Sequence, residues 1–302
     1  MRKIRNDLDQ IRHSLKMPEV EEKYDIYFSR FLGFYIARVA SKLQLTPTNI
    51  TVLSMISGLI GGGLLYFQET LWITILGSFL LTLAGLFDSA DGQLARMTGQ
   101  STEFGRILDG TVDTIVFIAC YVGATAFYVL RPEPVLWYIP LSMAAGYVHN
   151  LKNGVYDLYK SEMLYYGGKF DDARNQTIDE VRKERDKASG LNRLLRSFYL
   201  DYLKRQFWGS TRKVHFNRFR ELYSEHREEF SSQYLATQKG LLKWWAWVGG
   251  LNIHRWGIII SCLFVRFDLY LWITLGSLVT LFMINKAQLI ADRKLLSHFD
   301  KS

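Results

Sequence analysis

The sequence is poor in cysteine: Cys120 and Cys262 are the two such residues in a chain of 302. Both lie within apolar runs, so we interpret them as small buried hydrophobic residues. This scarcity excludes a disulfide framework and a Cys-x-x-Cys metal site. The sequence also lacks internal repeats, and its first residues, MRKIRNDLDQIRHSLK, contain no apolar core. We therefore expect no cleavable signal peptide.

A nucleic-acid recognition motif is absent as well, although the net charge is +8. Of the 37 Lys and Arg residues, only Arg131 and Arg266 fall at segment ends that we assign to the outside of a membrane. The others share the opposite side, which is the positive-inside bias of membrane proteins. This bias accounts for the basic charge, and we expect no nucleic-acid partner.

Apolar residues, in contrast, make up 49% of the chain, and they are gathered in long runs between charged segments. Runs near 20 residues can cross a bilayer as helices. The pattern predicts an all-α, polytopic membrane protein with six transmembrane helices. Four glycines of the first span should allow close helix packing in lipid: Gly58, Gly61, Gly62 and Gly63. The spans are predicted near residues 47–67, 71–87, 109–130, 135–147, 245–265 and 269–284.

The polar segments between these runs predict the domain organisation. Residues 24–43 alternate aromatic and aliphatic residues with basic ones at helical spacing, which is typical of an amphipathic helix in the membrane interface. A soluble helix packed on its own domain is the alternative. Six spans place both termini in the cytoplasm, beneath an inner or plasma membrane. The predicted regions are N-terminal cytoplasmic and interfacial helices (1–47), spans one to four (48–150), a cytoplasmic helical insertion (151–243), and spans five and six with a cytoplasmic tail (244–302).

Four aspartates flank the junction of the second and third spans: Asp88, Asp91, Asp109 and Asp113. The first two are three residues apart and the last two are four apart, so on helices each pair projects from one face. Carboxylates near hydrocarbon are costly and usually mark a functional site. Oxygen-rich clusters suit Mg²⁺ or Mn²⁺, often as two bridged ions. In the structural alternative, the carboxylates pair with Arg96 and Arg106.

The residues around the aspartates add features of a phosphate site. Gly92 follows Asp91 directly, and Gly105 precedes the second pair, so a ligand can approach the backbone closely. Arg96 is placed to meet a phosphate with its planar set of donors. An EF-hand loop is excluded, because its twelfth position would be Gly99 instead of Glu.

Together these residues resemble the signature of the CDP-alcohol phosphotransferase family, Asp-x₂-Asp-Gly-x₂-Ala-Arg-x₈-Gly-x₃-Asp-x₃-Asp, from Asp88 to Asp113. The resemblance covers about residues 25–150 and 245–290 and implies the family's six-span helical fold. It also implies a membrane enzyme that uses Mg²⁺ or Mn²⁺, as two ions, and forms a homodimer. Its active site would face the cytoplasm.

The resemblance implies a role for each matching position. Asp88, Asp91 and Asp109 resemble metal ligands, and Asp113 resembles the residue that binds metal and takes the proton from the attacking hydroxyl. The family's first span often opens with Pro-Asn-x-x-Thr, whereas this chain has Thr48 at the position of the Asn and an Asn one position later. The residues implied to bind the CDP-linked donor are Thr48, Thr51, Gly92, Ala95, Arg96, Thr102 and Gly105.

A second polar cluster, Asn252, His254 and Arg255, lies where the fifth span begins. Arg255 in an apolar stretch needs a polar partner or a water-filled pocket. It could bind a phosphate or hydroxyls of an acceptor, extend to the interface, or pair with an aspartate of another span. The sequence leaves these readings open.

The expected reaction transfers a substituted phosphate from a CDP-linked donor, such as CDP-diacylglycerol, to an alcohol, with release of CMP. A polyol or polyol phosphate such as inositol phosphate or glycerol phosphate would suit Arg255, and the product would be a phospholipid. Transfer from a soluble CDP-alcohol to a lipid acceptor is the alternative. Other classes considered are an intramembrane prenyltransferase, a transporter and a non-catalytic scaffold. No second Asp-rich motif supports the first, and the position of the aspartates at span ends disfavours the second.

Overall fold

The computed structural model describes residues 24–167 and 176–300, apart from the side chain of Ile26. Within these ranges the chain is helical and contains no strand, which confirms the all-α prediction. Predictions for residues 1–23 and 168–175 lie outside the described residues. The helices are α1 (Arg30–Lys42), α2 (Pro47–Leu64), α3 (Leu71–Thr98), α4 (Glu103–Val129), α5 (Tyr138–Tyr166), α6 (Ile178–Lys187), α7 (Gly190–Gly209), α8 (Phe216–Glu225), α9 (Arg227–Gly249), α10 (Leu251–Leu263), α11 (Phe267–Gly276) and α12 (Leu278–Phe299).

The described residues form two compact units. The first unit contains residues 24–147 and 254–275, and the second contains residues 148–167, 176–253 and 276–300. All four aspartates of the signature belong to the first unit.

Four helical stretches of the described residues are long and apolar enough to cross a membrane: Pro47–Phe67, Leu71–Thr98, Glu103–Val129 and Phe267–Phe299. They correspond to the first, second, third and sixth predicted spans, and the chain is an integral membrane protein. The fourth and fifth predicted spans do not meet the same criteria. The fourth predicted span overlaps α5, which continues into a charged segment. The fifth is divided, because α9 ends before Gly250.

Small residues bring α2 against its neighbours in the first unit. A Cβ added at Gly62 would lie 2.8 Å from the backbone of Ala119 in α4, and Gly58 and Gly61 are crowded in the same way. Gly63 instead faces open space. The predicted close packing therefore applies to three of the four glycines, because only those three lie on the faces of α2 that meet α3 and α4.

The amphipathic segment predicted at residues 24–43 forms a π-helical turn followed by α1. The buried face of α1 includes Phe34 and Ala37, and the helix packs on α3. Gln93 of α3 donates a 3.1 Å hydrogen bond to the carbonyl oxygen of Arg30. Gln93 lies two residues after Asp91, so this contact ties α1 to the part of α3 that carries the first aspartate pair.

The second unit encloses a buried cluster of charges that the sequence gave no sign of. The guanidinium of Arg212 contacts Glu162 at 2.6 Å and Asp292 at 3.1 Å, and all three side chains are at most 2% exposed. An aromatic core surrounds them, including Tyr234 and Trp245. Breaking such a pair leaves an uncompensated buried charge, so the three residues are mutually dependent.

Candidate functional site

The four aspartates lie at the ends of two helices that are joined by a short turn. Asp88 and Asp91 belong to the last turns of α3, and Asp109 and Asp113 belong to the first turns of α4. The turn is built by Gly99, which ends α3 in a left-handed conformation with φ of 67°. Glycine adopts this conformation without steric cost, and the chain can therefore reverse within four residues.

Thr102 begins α4 as its N-cap. Its side-chain oxygen accepts a 3.0 Å hydrogen bond from the backbone N–H of Gly105. A cap of this kind typically stabilises a helix start by about 1 kcal/mol. Both residues were predicted in the donor-binding set, and the structure gives them a structural part in positioning the second aspartate pair.

The reversal brings the two pairs together. Asp109 interacts electrostatically with Asp88, Asp91 and Asp113, and its side chain hydrogen-bonds that of Asp88. Asp91 is 5% exposed, whereas Asp88 and Asp109 are partly buried. Like charges this close repel in a poorly solvated site unless a cation lies among them. The chemistry of the four carboxylates therefore fits hard divalent cations.

The arrangement of the carboxylates is looser than a formed metal site. Among residues 24–167 and 176–300, no three acidic, histidine or cysteine side chains are placed so that they could hold one ion. The fit to a cation consequently rests on the identity of the donors and on their mutual interaction, and a ligand role for each aspartate remains a prediction.

Thr51 was predicted to face the nucleotide, and its hydroxyl donates a 2.6 Å hydrogen bond to Asp91. The sequence positions Thr51 through the start of α2, where Thr46 and Asn49 form a capping box and Pro47 occupies the first turn. Asn49 is thus used in capping. Thr48 lies exposed on the same turn.

Arg96 lies against the glycine of the signature. A Cβ added at Gly92 would lie 3.4 Å from Nη1 of Arg96, and the guanidinium also interacts with the Asp91 carboxylate. Ala95 is partly buried beside it on α3. Arg96 is therefore held on the side of α3 that carries Asp91, where its donors can meet a phosphate bound at the aspartates.

The polar cluster that was predicted to bind the acceptor is divided by the fold. Asn252 is buried in the second unit, whereas His254 and Arg255 belong to the first. Nδ1 of His254 lies 2.9 Å from the hydroxyl of Tyr270, which in turn lies 3.1 Å from the hydroxyl of Tyr121. This chain of contacts gives His254 a packing partner deep in the first unit.

Arg255 extends to α3, and sequence reasoning missed the residue that receives it. A Cβ added at Gly85 would overlap the Arg255 guanidinium, so only glycine leaves room for it there. Gly85 lies three residues before Asp88, one helical turn from the aspartates. The sequence signal that could have indicated this contact is a glycine, Gly85, one helical turn before the first aspartate. The structure thus places a cation next to the acidic site.

Lys152 lies in the second unit. It is 2% exposed, and its Nζ donates a hydrogen bond to the hydroxyl of Ser277. Burial lowers the pKa of Lys152 to about 8. Its contacts within the second unit are those of a buried structural lysine.

The protein thus belongs to the class of helical membrane proteins that carry a cluster of carboxylates at the junction of two spans. In a comparison with family models, residues 44–152 match the model described as CDP-alcohol phosphatidyltransferase. The matched range contains the whole Asp88–Asp113 signature and the capping box at the start of α2.

Curated relatives match the same region. The chain is 31% identical to the archaetidylinositol phosphate synthase of Pyrococcus horikoshii over 26% of this chain and 40% of that protein. It is 29% identical to the phosphatidylinositol phosphate synthase of Cutibacterium acnes over 34% of this chain and 48% of that protein. It is 36% identical to the phosphatidylinositol phosphate synthase of Corynebacterium glutamicum over 30% of this chain and 40% of that protein. The matches span less than half the length of these relatives. No solved structure matches the chain at a significant level.

Proposed function

We propose that the protein transfers a substituted phosphate from CDP-diacylglycerol to the hydroxyl of a polyol phosphate and releases CMP, as a step of phospholipid biosynthesis. The observation that carries the proposal is the interaction of Asp109 with the other three signature aspartates across the α3–α4 turn. The match of residues 44–152 to the family model and the names of the relatives support the reaction class and an inositol phosphate acceptor.

The aspartates would hold two Mg²⁺ or Mn²⁺ ions. Bound ions would neutralise the pyrophosphate of the donor and stabilise the departing CMP. Asp88, Asp91 and Asp109 are the proposed ligands. Asp113 would bind metal as well and accept the proton of the acceptor hydroxyl.

The covalent step joins the hydroxyl oxygen of the acceptor to the β-phosphorus of the donor. The bond between that phosphorus and the bridging oxygen breaks, and the electron pair leaves with CMP. Arg96 orients the donor phosphates, because its guanidinium already lies against Gly92 and interacts with Asp91. Arg255, held at Gly85, binds the phosphate of the acceptor one turn away.

The protein would cross the membrane six times. Four of these spans meet the criteria of length and composition, and α5 and α10 would contribute the other two. Both termini and the aspartates would lie on the cytoplasmic side, consistent with the distribution of Lys and Arg. The active form would be a homodimer. Residues 24–43 would lie in the interface, where their aromatic residues suit the headgroup region.

The test measures CMP release by purified protein in detergent with Mg²⁺ or Mn²⁺. CDP-diacylglycerol is supplied with inositol phosphate, glycerol phosphate, inositol or serine in parallel. Asp113→Asn is the diagnostic variant, and Asp179→Asn, an exposed carboxylate in the first turn of α6, is the matched control. We expect metal-dependent release with a polyol phosphate, lost in Asp113→Asn and kept in Asp179→Asn.

Two outcomes would contradict this proposal. CMP release with soluble CDP-alcohols and a lipid acceptor, but not with CDP-diacylglycerol, would mean that the lipid is the acceptor and is not carried by the donor. If folded protein that binds Mn²⁺ releases no CMP from any donor, a scaffold or a transporter is favoured.

A further inference from the structure

The second unit contains a small polar cavity between α5 and α7, with a volume of about 40 Å³. A water molecule needs about 10–15 Å³ of such space, so the cavity holds roughly three waters or a group of a few heavy atoms. Its polar lining comprises seven side chains: Asp157, Ser161, Glu162, Gln176, Tyr199, Tyr202 and Gln206. None of these residues belongs to the site of the proposed transfer reaction.

The charge of the lining is negative. Asp157 and Glu162 both line the cavity, and no lysine, arginine or histidine does so among the residues that the structure describes. Asp157 accepts hydrogen bonds at one oxygen, Oδ2, from Tyr202 at 3.2 Å and from Gln206 at 3.4 Å. A ligand that suits this lining therefore carries positive charge.

Glu162 supplies an acceptor without a partner. The side chain is 2% exposed, and both Arg212 and Tyr234 contact the same oxygen, Oε2. Its other oxygen, Oε1, has no hydrogen-bond partner among the described residues. Oε1 of Gln176 is buried and unpartnered in the same sense. Leaving a buried acceptor without a hydrogen bond is costly, and more so for a charged group, so we expect a hydrogen-bond donor in the cavity.

Hydrogen-bond donors on a compact cation meet both requirements. Two carboxylates and one amide oxygen fall short of the roughly six to eight oxygen ligands that Ca²⁺ takes. The described residues also contain no group of three acidic, histidine or cysteine side chains that could hold a metal ion. A primary ammonium group carries three donors and one charge. Tyr199 and Tyr202 also line the cavity, and aromatic rings attract cations.

We propose that the cavity lined by Asp157 and Glu162 binds the primary ammonium group of a small amine. The ammonium donates to Oε1 of Glu162, to Asp157 and to Oε1 of Gln176, and the tyrosine rings enclose its first carbons. The volume admits an ammonium group with one or two carbons and excludes quaternary ammonium groups. This binding is independent of the phosphate transfer and stands or fails separately from it.

The test is titration calorimetry of the full-length protein in detergent with ethylammonium chloride, against sodium chloride and tetramethylammonium chloride. It is run above the pKa of Glu162 of about 7, where that carboxyl is ionised and ethylammonium still carries its charge. Asp157→Asn keeps an acceptor for Tyr202 and removes one charge, so the fold is preserved. Asp201→Asn is the control, since it lies on α7 with a side chain 64% exposed. Ser161→Leu fills the cavity without altering a charge.

We expect saturable binding of ethylammonium that weakens about tenfold in Asp157→Asn, the loss of about 1.4 kcal/mol typical of a charged hydrogen bond. Asp201→Asn should bind like the unmodified protein, and Ser161→Leu should not bind. Absence of saturable binding, equal binding by Asp157→Asn, or equal binding of tetramethylammonium would each overturn the proposal.

A free amine and the amino group of a lipid headgroup share this chemistry. Ethanolamine in solution represents the first source, and nanodiscs of phosphatidylcholine with or without phosphatidylethanolamine represent the second. Competition with ethylammonium by ethanolamine alone assigns a soluble amine. Competition by the phosphatidylethanolamine nanodiscs assigns the headgroup. Failure of both to compete would overturn the assignment to an amine of either kind.

Discussion

The hydroxyl of Thr51 donates a 2.6 Å hydrogen bond to Oδ2 of Asp91, and both residues are buried. They lie on different helices, α2 and α3. The bond thus orients one carboxylate of the cluster from the neighbouring helix. Hydrogen bonds of this kind to a metal-binding carboxylate fix its direction and tune its affinity.

Replacing Thr51 by Val keeps the shape of the side chain and removes the donor. We expect CMP release and apparent Mn²⁺ affinity to fall by about 10–100-fold, because loss of an outer-shell partner has effects of this size. The measurement is CMP release against Mn²⁺ concentration. Thr51→Ser, which keeps the hydroxyl, should lie within a few-fold of the unmodified protein. Equal losses in both variants would assign Thr51 to packing alone.

Asp109 interacts with all three of the other signature aspartates. Asp109→Asn removes one charge at nearly constant volume, so we expect weaker Mn²⁺ binding together with loss of CMP release. Electron paramagnetic resonance of Mn²⁺ measures the binding directly. Asp268→Asn on α11 is the control, because its carboxylate pairs with Arg266 at the start of that helix. Unchanged Mn²⁺ binding in Asp109→Asn would remove it from the proposed ligands.

Gly85→Ala should displace the Arg255 guanidinium, since a Cβ at this position overlaps it. We expect the KM for a phosphorylated acceptor to rise about tenfold with a smaller change for CDP-diacylglycerol, the pattern of lost binding to one substrate. Gly63→Ala is the matched control, because a Cβ there meets no atom within 4 Å. Both lie in membrane helices, so they share the general effect of adding a methyl group. An equal change for both substrates would mean that Arg255 does not act on the acceptor.

Burial raises the pKa of Glu162 from its usual 4.5 to about 7, against the opposing effect of Arg212. Asp292, Tyr234 and Tyr159 are the other titratable groups around it. The folded protein therefore keeps a proton that the unfolded chain releases near pH 4.5. This contribution to stability is fully present below pH 4.5 and is lost as the pH rises through about 7.

Glu162→Gln removes that titration. Between pH 5 and about 7.5, we expect the melting temperature of the unmodified protein to fall more steeply than that of the variant. Glu180→Gln at the exposed start of α6 tests whether any lost carboxylate gives the same effect. Thermal unfolding monitored by tryptophan fluorescence provides the measurement. Parallel pH profiles for the unmodified protein and Glu162→Gln would contradict a proton held on Glu162.

Local sequence determined much of the first unit. The cap at Thr46 and the proline of the first turn act over a few residues, so the start of α2 near residue 47 could be predicted. The second span was predicted to end near residue 87, whereas α3 continues to Thr98. The spacing of the aspartates placed each pair on one helical face. Hydropathy predicted the four spans that length and composition support in the structure. The fourth and fifth predicted spans are not supported in this way, because α5 continues into a charged segment and α9 ends before Gly250.

Contacts between distant parts of the chain were decided by the tertiary structure alone. Arg255 meets Gly85, and Arg212 meets Glu162 and Asp292, across long stretches of sequence. No periodicity encodes such pairings, because they depend on how helices pack and on which polar groups packing removes from water. The sequence therefore determined where the four aspartates lie, at the facing ends of two consecutive helices. Only the packing decided which arginine lies one turn from the aspartates, and which carboxylate is buried beside a cavity with one oxygen unpartnered among the described residues.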